Sequence, residues 1–158
     1  MVDLARERLG RDADLRVADL GEPLPYPDGA FDLVVVSLAL HYVEDWGAAL
    51  AELRRVLTAG GRLLVSIIHP MVYAIVYPDG DYFAVTRYSE DYTLGGQTVW
   101  MTYWHRPLQD VTNAFTTAGF RIRTVTEPAP APDTPAELLP RADGRSFVCF
   151  LFLELEAP

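Results

Sequence analysis

The chain contains three histidines, His41, His69 and His105. Imidazole takes up or releases a proton near neutral pH, and it is also a common metal ligand. His41 follows the apolar run Phe31 to Leu40, His69 follows a second run from Leu63 to Ile68, and His105 closes an aromatic-rich stretch. Nine of the 18 aromatic residues fall between His69 and Arg106, among them Tyr73, Trp100 and Trp104. Taken singly, His41 and His105 also read as half-exposed loop residues. Together with the aromatics, the three histidines look like the lining of one pocket. The same aromatics would serve equally as the packing of an insertion. The histidine spacings of 28 and 36 residues match no compact ligand motif, so no metal site is expected.

Other chemistries have no counterpart in the sequence. There is no G-x-S-x-G elbow, no G-x-x-x-x-G-K-[ST] loop and no G-x-G of any kind. Cys149, the single cysteine, excludes a disulfide framework and sits in an apolar run, where a core residue is expected rather than a nucleophile. Glu44 and Asp45 suit the start of a helix. The 158 residues carry a formal net charge of -9, and all 13 basic residues are arginine. Such a surface repels phosphate backbones and anionic membranes, so neither nucleic acid nor membrane is an expected partner. No membrane-length apolar run and no signal-peptide pattern is found, and a cytoplasmic domain is expected.

The elements that must hold these residues follow from periodicity. Residues 1–10 read as the end of a helix capped by Gly10, and Leu15 to Asp19 alternates like a short strand. Residues 21–29, with three prolines and Asp28-Gly29, read as a loop. The run from Phe31 then predicts a buried strand. Asp45 predicts an N-cap for a helix from Trp46 that Gly60-Gly61 would end, and Leu63 to Ile68 predicts a second strand. Strand, helix and strand joined by short loops make a βαβ unit with parallel strands. A further helix is expected between Pro107 and Gly119, then strands at Phe120 to Thr126 and Phe147 to Leu155, with an irregular proline-rich stretch, 128–140, between them. The whole is an α/β single domain, residues 1–158, with an aromatic insertion at 69–106. In an open α/β sheet, ligands bind beyond the carboxyl ends of the strands, where these histidines stand.

The run Asp19-Leu20 … LPYPDGAFDLVVVSLALHYVEDW … ALAELRRVLTAGGRLLVSIIHP resembles the class I S-adenosylmethionine (SAM) dependent methyltransferases, in particular the quinone-biosynthesis group. The later YWHRPL, AGF and EPAP segments resemble a subset with an insertion after the fifth strand. The resemblance implies a Rossmann-like, mostly parallel sheet and SAM-dependent methyl transfer to a small-molecule acceptor. It places Asp19 and Leu20 at the adenine, and Ser37, Leu38 and Ala39 at the methionine end of SAM. His41 and Tyr42 would face the junction of cofactor and substrate. His69, Tyr73, Trp100, Trp104, His105 and Arg106 would form the substrate wall by position, with the three histidines as candidate proton acceptors.

The family pattern also includes a first strand, an E/D-x-G-x-G loop and a second strand ending in an acid, and none of these is in the sequence. The expectation is therefore a sheet lacking the first two strands, with Met1 matching an internal methionine. Three readings stay open: a truncated or mis-started methyltransferase, a non-catalytic binding remnant, or one half of a split enzyme completed by a partner chain. The strand at 31–39 would then present a bare apolar edge, and self-association through it is expected.

Overall fold

The computed structural model describes residues 2–10, 12–94, 96–135, 141–142 and 145–158. Met1 and residues 136–140 of the proline-rich stretch lie outside the described residues.

The first helix, α1 (Val2–Leu9), ends as expected at Gly10, whose φ of 87° suits glycine and whose N–H donates to the Arg6 carbonyl at 3.0 Å. No residue of α1 is buried. The short strand expected over Leu15–Asp19 does not form, and Val17 is exposed. Alternation alone does not make a strand, which needs a neighbour to take its backbone hydrogen bonds. The segment is instead held by Arg16, which donates to the Pro25 carbonyl and lies 4.8 Å over the Tyr26 ring.

The βαβ unit follows the expected plan with shifted boundaries. Strand β1 (Phe31–Ser37) pairs in parallel with β2 (Leu57–Ile68), Val34 opposite Leu63 and Ser37 opposite Ser66. β1 stops short of Leu40 because Leu38 turns into the left-handed region, φ 49°. A single 3-10 turn, Leu40–Tyr42, follows. Helix α2 (Trp46–Val56) is capped by Asp45, whose side chain accepts from the Gly47 N–H at 2.7 Å. It buries Trp46, Ala49, Leu50, Leu53 and Val56 on one stripe. β2 starts directly at Leu57, so Gly60-Gly61 lies inside the strand rather than ending the helix. Gly60 there takes φ 78°, and a Cβ on Gly61 would meet the Thr58 carbonyl oxygen at 2.9 Å.

A short helix that periodicity did not reveal, α3 (Pro70–Val76), follows His69. Seven residues are too few to show a helical stripe. The rest of the insertion is an antiparallel hairpin, β3 (Thr86–Leu94) and β4 (Gln97–His105). Helix α4 (Leu108–Thr117) lies between Pro107 and Gly119 as expected. β5 (Arg121–Thr126) follows, then a two-residue ladder of β6 (Arg141–Ala142) with β7 (Arg145–Ser146), then β8 (Phe150–Glu156). The last strand begins at Phe150 rather than Phe147, and just before it the Cys149 carbonyl accepts from the His69 N–H.

The main sheet runs β1-β2-β8-β5. Only β1–β2 is parallel; β8 is antiparallel to both its neighbours. Three of the four strands, β1, β2 and β5, thus run in one direction with β8 against them, the mostly parallel sheet that was expected. Helices α2 and α4 cover one face, where Trp46 meets Phe115 at 5.6 Å above Leu63, Val65, Leu151 and Leu153. On the other face Leu33, Val35, Phe150 and Phe152 are exposed.

Candidate active site

Three chain reversals meet at the carboxyl end of β1 and β2. β1 ends at Ser37 and turns through Leu38 into the turn carrying His41 and Tyr42. A leucine with positive φ is uncommon and costs roughly 1–2 kcal/mol. It is held by Ser66 on β2, whose carbonyl and Oγ both accept from the Leu38 N–H, at 3.0 and 3.1 Å. β2 delivers His69, and the insertion returns to the same place with Trp104, His105 and Arg106. The three histidines, with Tyr73, Tyr88 and Trp104, line a cavity of about 20 Å³. That is room for about one water.

Each histidine is committed differently. His41 is buried, and its Nδ1 faces the Ile68 N–H at 3.5 Å, a long contact. Burial lowers its pKa to about 4, so it is neutral at pH 7. His69 is buried and uses both ring nitrogens: Nδ1 caps α3 by accepting from the Met71 N–H at 3.1 Å, and Nε2 lies 2.8 Å from Glu127 Oε1. His105 Nε2 lies 2.8 Å from the Tyr82 carbonyl, and its ring stacks on Tyr73 at 4.2 Å. Its pKa is lowered, chiefly by burial.

The aromatics continue outward from the cavity. Tyr73 contacts Tyr88 at 5.4 Å, Tyr88 stacks on Tyr103 at 5.3 Å, and Tyr103 stacks on Tyr42 at 5.2 Å. Burial pushes the Tyr103 phenol up to about 12, so it stays protonated. Arg106 is held by structure rather than offered to a ligand. Its guanidinium donates to the carbonyls of Val43 and Glu44 and sits 4.9 Å over the Trp46 ring.

Of the residues expected at the site, His41, His69, Tyr73, Trp104, His105 and Arg106 come together around one cavity. Tyr42 stands beside it, half exposed, against His41. Trp100 does not join them. It is 74% exposed and sits opposite Asp91, toward the hairpin turn, because β4 carries it five residues away from His105. Ser37 opens instead onto a shelf of about 310 Å³ on the uncovered sheet face, with Val35, Ser66 and Phe152. Ala39 and Leu20 pack against the core, and Asp19 is exposed, its Oδ1 accepting from the Gly21 N–H at 2.8 Å. Glu127 opens the EPAP segment and was given no role from the sequence, yet it holds His69. Among the described residues no group of three or more His, Cys, Asp or Glu could hold a metal ion, and no helix is long and apolar enough to cross a membrane.

A family model described as "Methyltransferase domain" matches residues 1–65. The demethylmenaquinone methyltransferase of Deinococcus radiodurans is 41% identical over 68 residues, covering 41% of this chain and 28% of that protein. A ubiquinone/menaquinone biosynthesis C-methyltransferase of Hahella chejuensis is 52% identical over 44 residues, covering 28% of this chain and 18% of that protein. The chain therefore spans well under a third of the length of these curated relatives. Among solved structures, an S-adenosylmethionine dependent methyltransferase from Mesorhizobium loti matches with a TM-score of 0.64 and 27% identity, over 97% of this chain and 75% of that one. Residues 1–65 thus resemble a methyltransferase domain, and the fold of the chain is similar to that of an S-adenosylmethionine dependent methyltransferase.

Proposed function

We propose that these residues form the acceptor side of a SAM-dependent methyl transfer to a small molecule. The observation that carries this is the meeting of β1, β2 and the insertion at one cavity, with three buried histidines and a strained Leu38 beside it. When bound, SAM supplies an electrophilic methyl group, so the protein's part is to orient the acceptor and exclude water. Leu38 and Ala39 would border the methyl-bearing end, and Asp19 and Leu20 the adenine. The resemblance places these residues at the two ends of the ligand. The sequence contains no E/D-x-G-x-G loop for the portion between them.

The chain's own groups suit acceptor chemistry. His41 and His105 are held toward their neutral forms by burial, so an unprotonated imidazole is present at pH 7. The stacked tyrosines offer flat apolar walls. A second reading, a binding module without transfer, would use the same cavity and its aromatic walls. Incubation with methyl-labelled SAM and a panel of hydroquinones, amines and thiols separates the two. Labelled product that disappears in His41→Gln/His105→Gln supports transfer. Saturable acceptor binding with no labelled product supports the binding module instead.

A further inference from the structure

We propose that the outer edge of β3 is a docking surface for β3 of a second copy of this chain, the two strands running antiparallel about a two-fold axis at Ser89. The inference is independent of the acceptor-side reading and of the edge of β1.

β3 and β4 form a sheet of their own, and among the described residues no third strand joins them. The base of the hairpin is anchored. Tyr88 lies 5.4 Å from Tyr73 and 5.5 Å from Tyr77, and Tyr103 stacks on Tyr42. β4 is the strand packed against the Leu40–Tyr42 turn, while the outer edge of β3 carries no strand. Toward the hairpin turn Asp91, Tyr92, Val99 and Trp100 are all exposed. A two-stranded ribbon standing in water is marginal by itself, and a further strand on its open edge stabilises it.

The charges on β3 select the partner and the register. Backbone N–H and C=O groups point out of a strand edge at alternate residues. When an edge meets its own copy about a two-fold axis, outward residues face outward residues, so every pair joins two odd or two even positions. The charged residues of β3 are Arg87, Glu90 and Asp91. An axis at any of these sets a charge directly against itself, which is destabilising. Of the axes along β3, only the one at Ser89 brings opposite charges together. It places Arg87 of each copy opposite Asp91 of the other, once on either side of the axis, with Glu90 opposite Tyr88. Arg87 and Asp91 are both exposed, and among the described residues neither is in an ion pair. Ser89 at the axis is small, and its Oγ already lies 2.9 Å from Thr102 Oγ1 on β4, which leaves the edge open. Trp104 stands opposite Arg87 and Trp100 opposite Asp91 within each hairpin, so an indole flanks each new ion pair on both sides. Oppositely charged groups that act as a guard on a strand edge thus become self-complementary in this one register.

The test is sedimentation velocity on the full 158-residue chain carrying Val35→Lys, so that the edge of β1 does not contribute. Salt of about 0.15 M screens the repulsion between two acidic chains. The expected species is a dimer. Arg87→Asp and Asp91→Arg should each weaken it about tenfold, because either change turns both attractive pairs into repulsive ones. Mixing the two single variants should restore association, since each copy then supplies the sign that the other lacks. The double variant Arg87→Asp/Asp91→Arg should likewise dimerise as the parent does. A chain that stays monomeric at high concentration, single variants that associate as tightly as the parent, or a mixture no tighter than its components would overturn the proposal. Both positions are exposed, so none of these changes empties a buried site.

Discussion

His69 Nε2 and Glu127 Oε1 are 2.8 Å apart, joining the end of β2 to the residue after β5 across 58 positions of sequence. The same imidazole caps α3 through Nδ1, so one side chain fixes where the insertion leaves the sheet.

Removing either partner should have unequal effects. Glu127 is half exposed, and a partly solvated pair contributes about 1 kcal/mol or less, so Glu127→Gln should lower stability only slightly. His69→Ala also uncaps α3 and empties a buried site, and should cost about 1–3 kcal/mol. Urea midpoints of the two variants check the order. A Glu127→Gln loss equal to that of His69→Ala would mean the pair, not the cap, sets the geometry.

The buried His41 makes the fold acid-sensitive. It titrates at about 4 in the folded chain and near 6.5 when unfolded. Between those values the unfolded chain binds a proton that the folded one refuses. This contribution is fully present above about pH 6.5 and is lost as pH falls toward 4, by on the order of 3 kcal/mol. His41→Gln should flatten that part of a stability-against-pH curve. An unchanged slope in the variant would show that other groups carry the acid sensitivity.

Leu38 is the only non-glycine residue with positive φ among the described residues. Leu38→Gly relieves roughly 1 kcal/mol of backbone strain but loosens the unfolded chain by a similar amount. Its stability should therefore stay within about 0.5 kcal/mol of the parent. Leu151→Ala, at a fully buried core position, should lose about 2–5 kcal/mol. If Leu38 shapes the cofactor's methyl end, the glycine variant should bind SAM more weakly despite its unchanged urea midpoint.

Strand β1 is paired on one side only, and among the described residues nothing pairs with its other edge. Val35 beside that edge is 62% exposed, and no lysine or proline lies in the strand. We expect the chain to self-associate by pairing β1 with β1 of a second copy. Val35→Lys should weaken association about tenfold or more, equivalent to about 1.4 kcal/mol. Sedimentation velocity on the parent and the variant reads this directly, and a monomeric parent at high concentration would rule it out.

Local pattern alone determined much of this molecule. The Asp45 cap, the apolar stripe of α2, the runs FDLVVV and LLVSII and the Gly10 and Gly119 stops are near-neighbour signals, and their elements form, with the start of β2 and the end of β1 shifted. The family likeness rested on the same contiguous stretch. Placing three histidines after strand ends and at the close of the insertion was likewise enough to bring them to one edge. Tertiary structure decided the rest, because it depends on partners distant in sequence. Leu15 to Asp19 alternates correctly but has no neighbouring strand, so it stays irregular. Trp100 is as aromatic as Trp104, yet β4 carries the first out toward the hairpin turn and keeps the second at the cavity. Which nitrogen of each histidine is spoken for was not legible either. It was set by the Ile68 and Met71 N–H groups, the Tyr82 carbonyl and the Glu127 carboxylate, and only the folded backbone brings these to the rings.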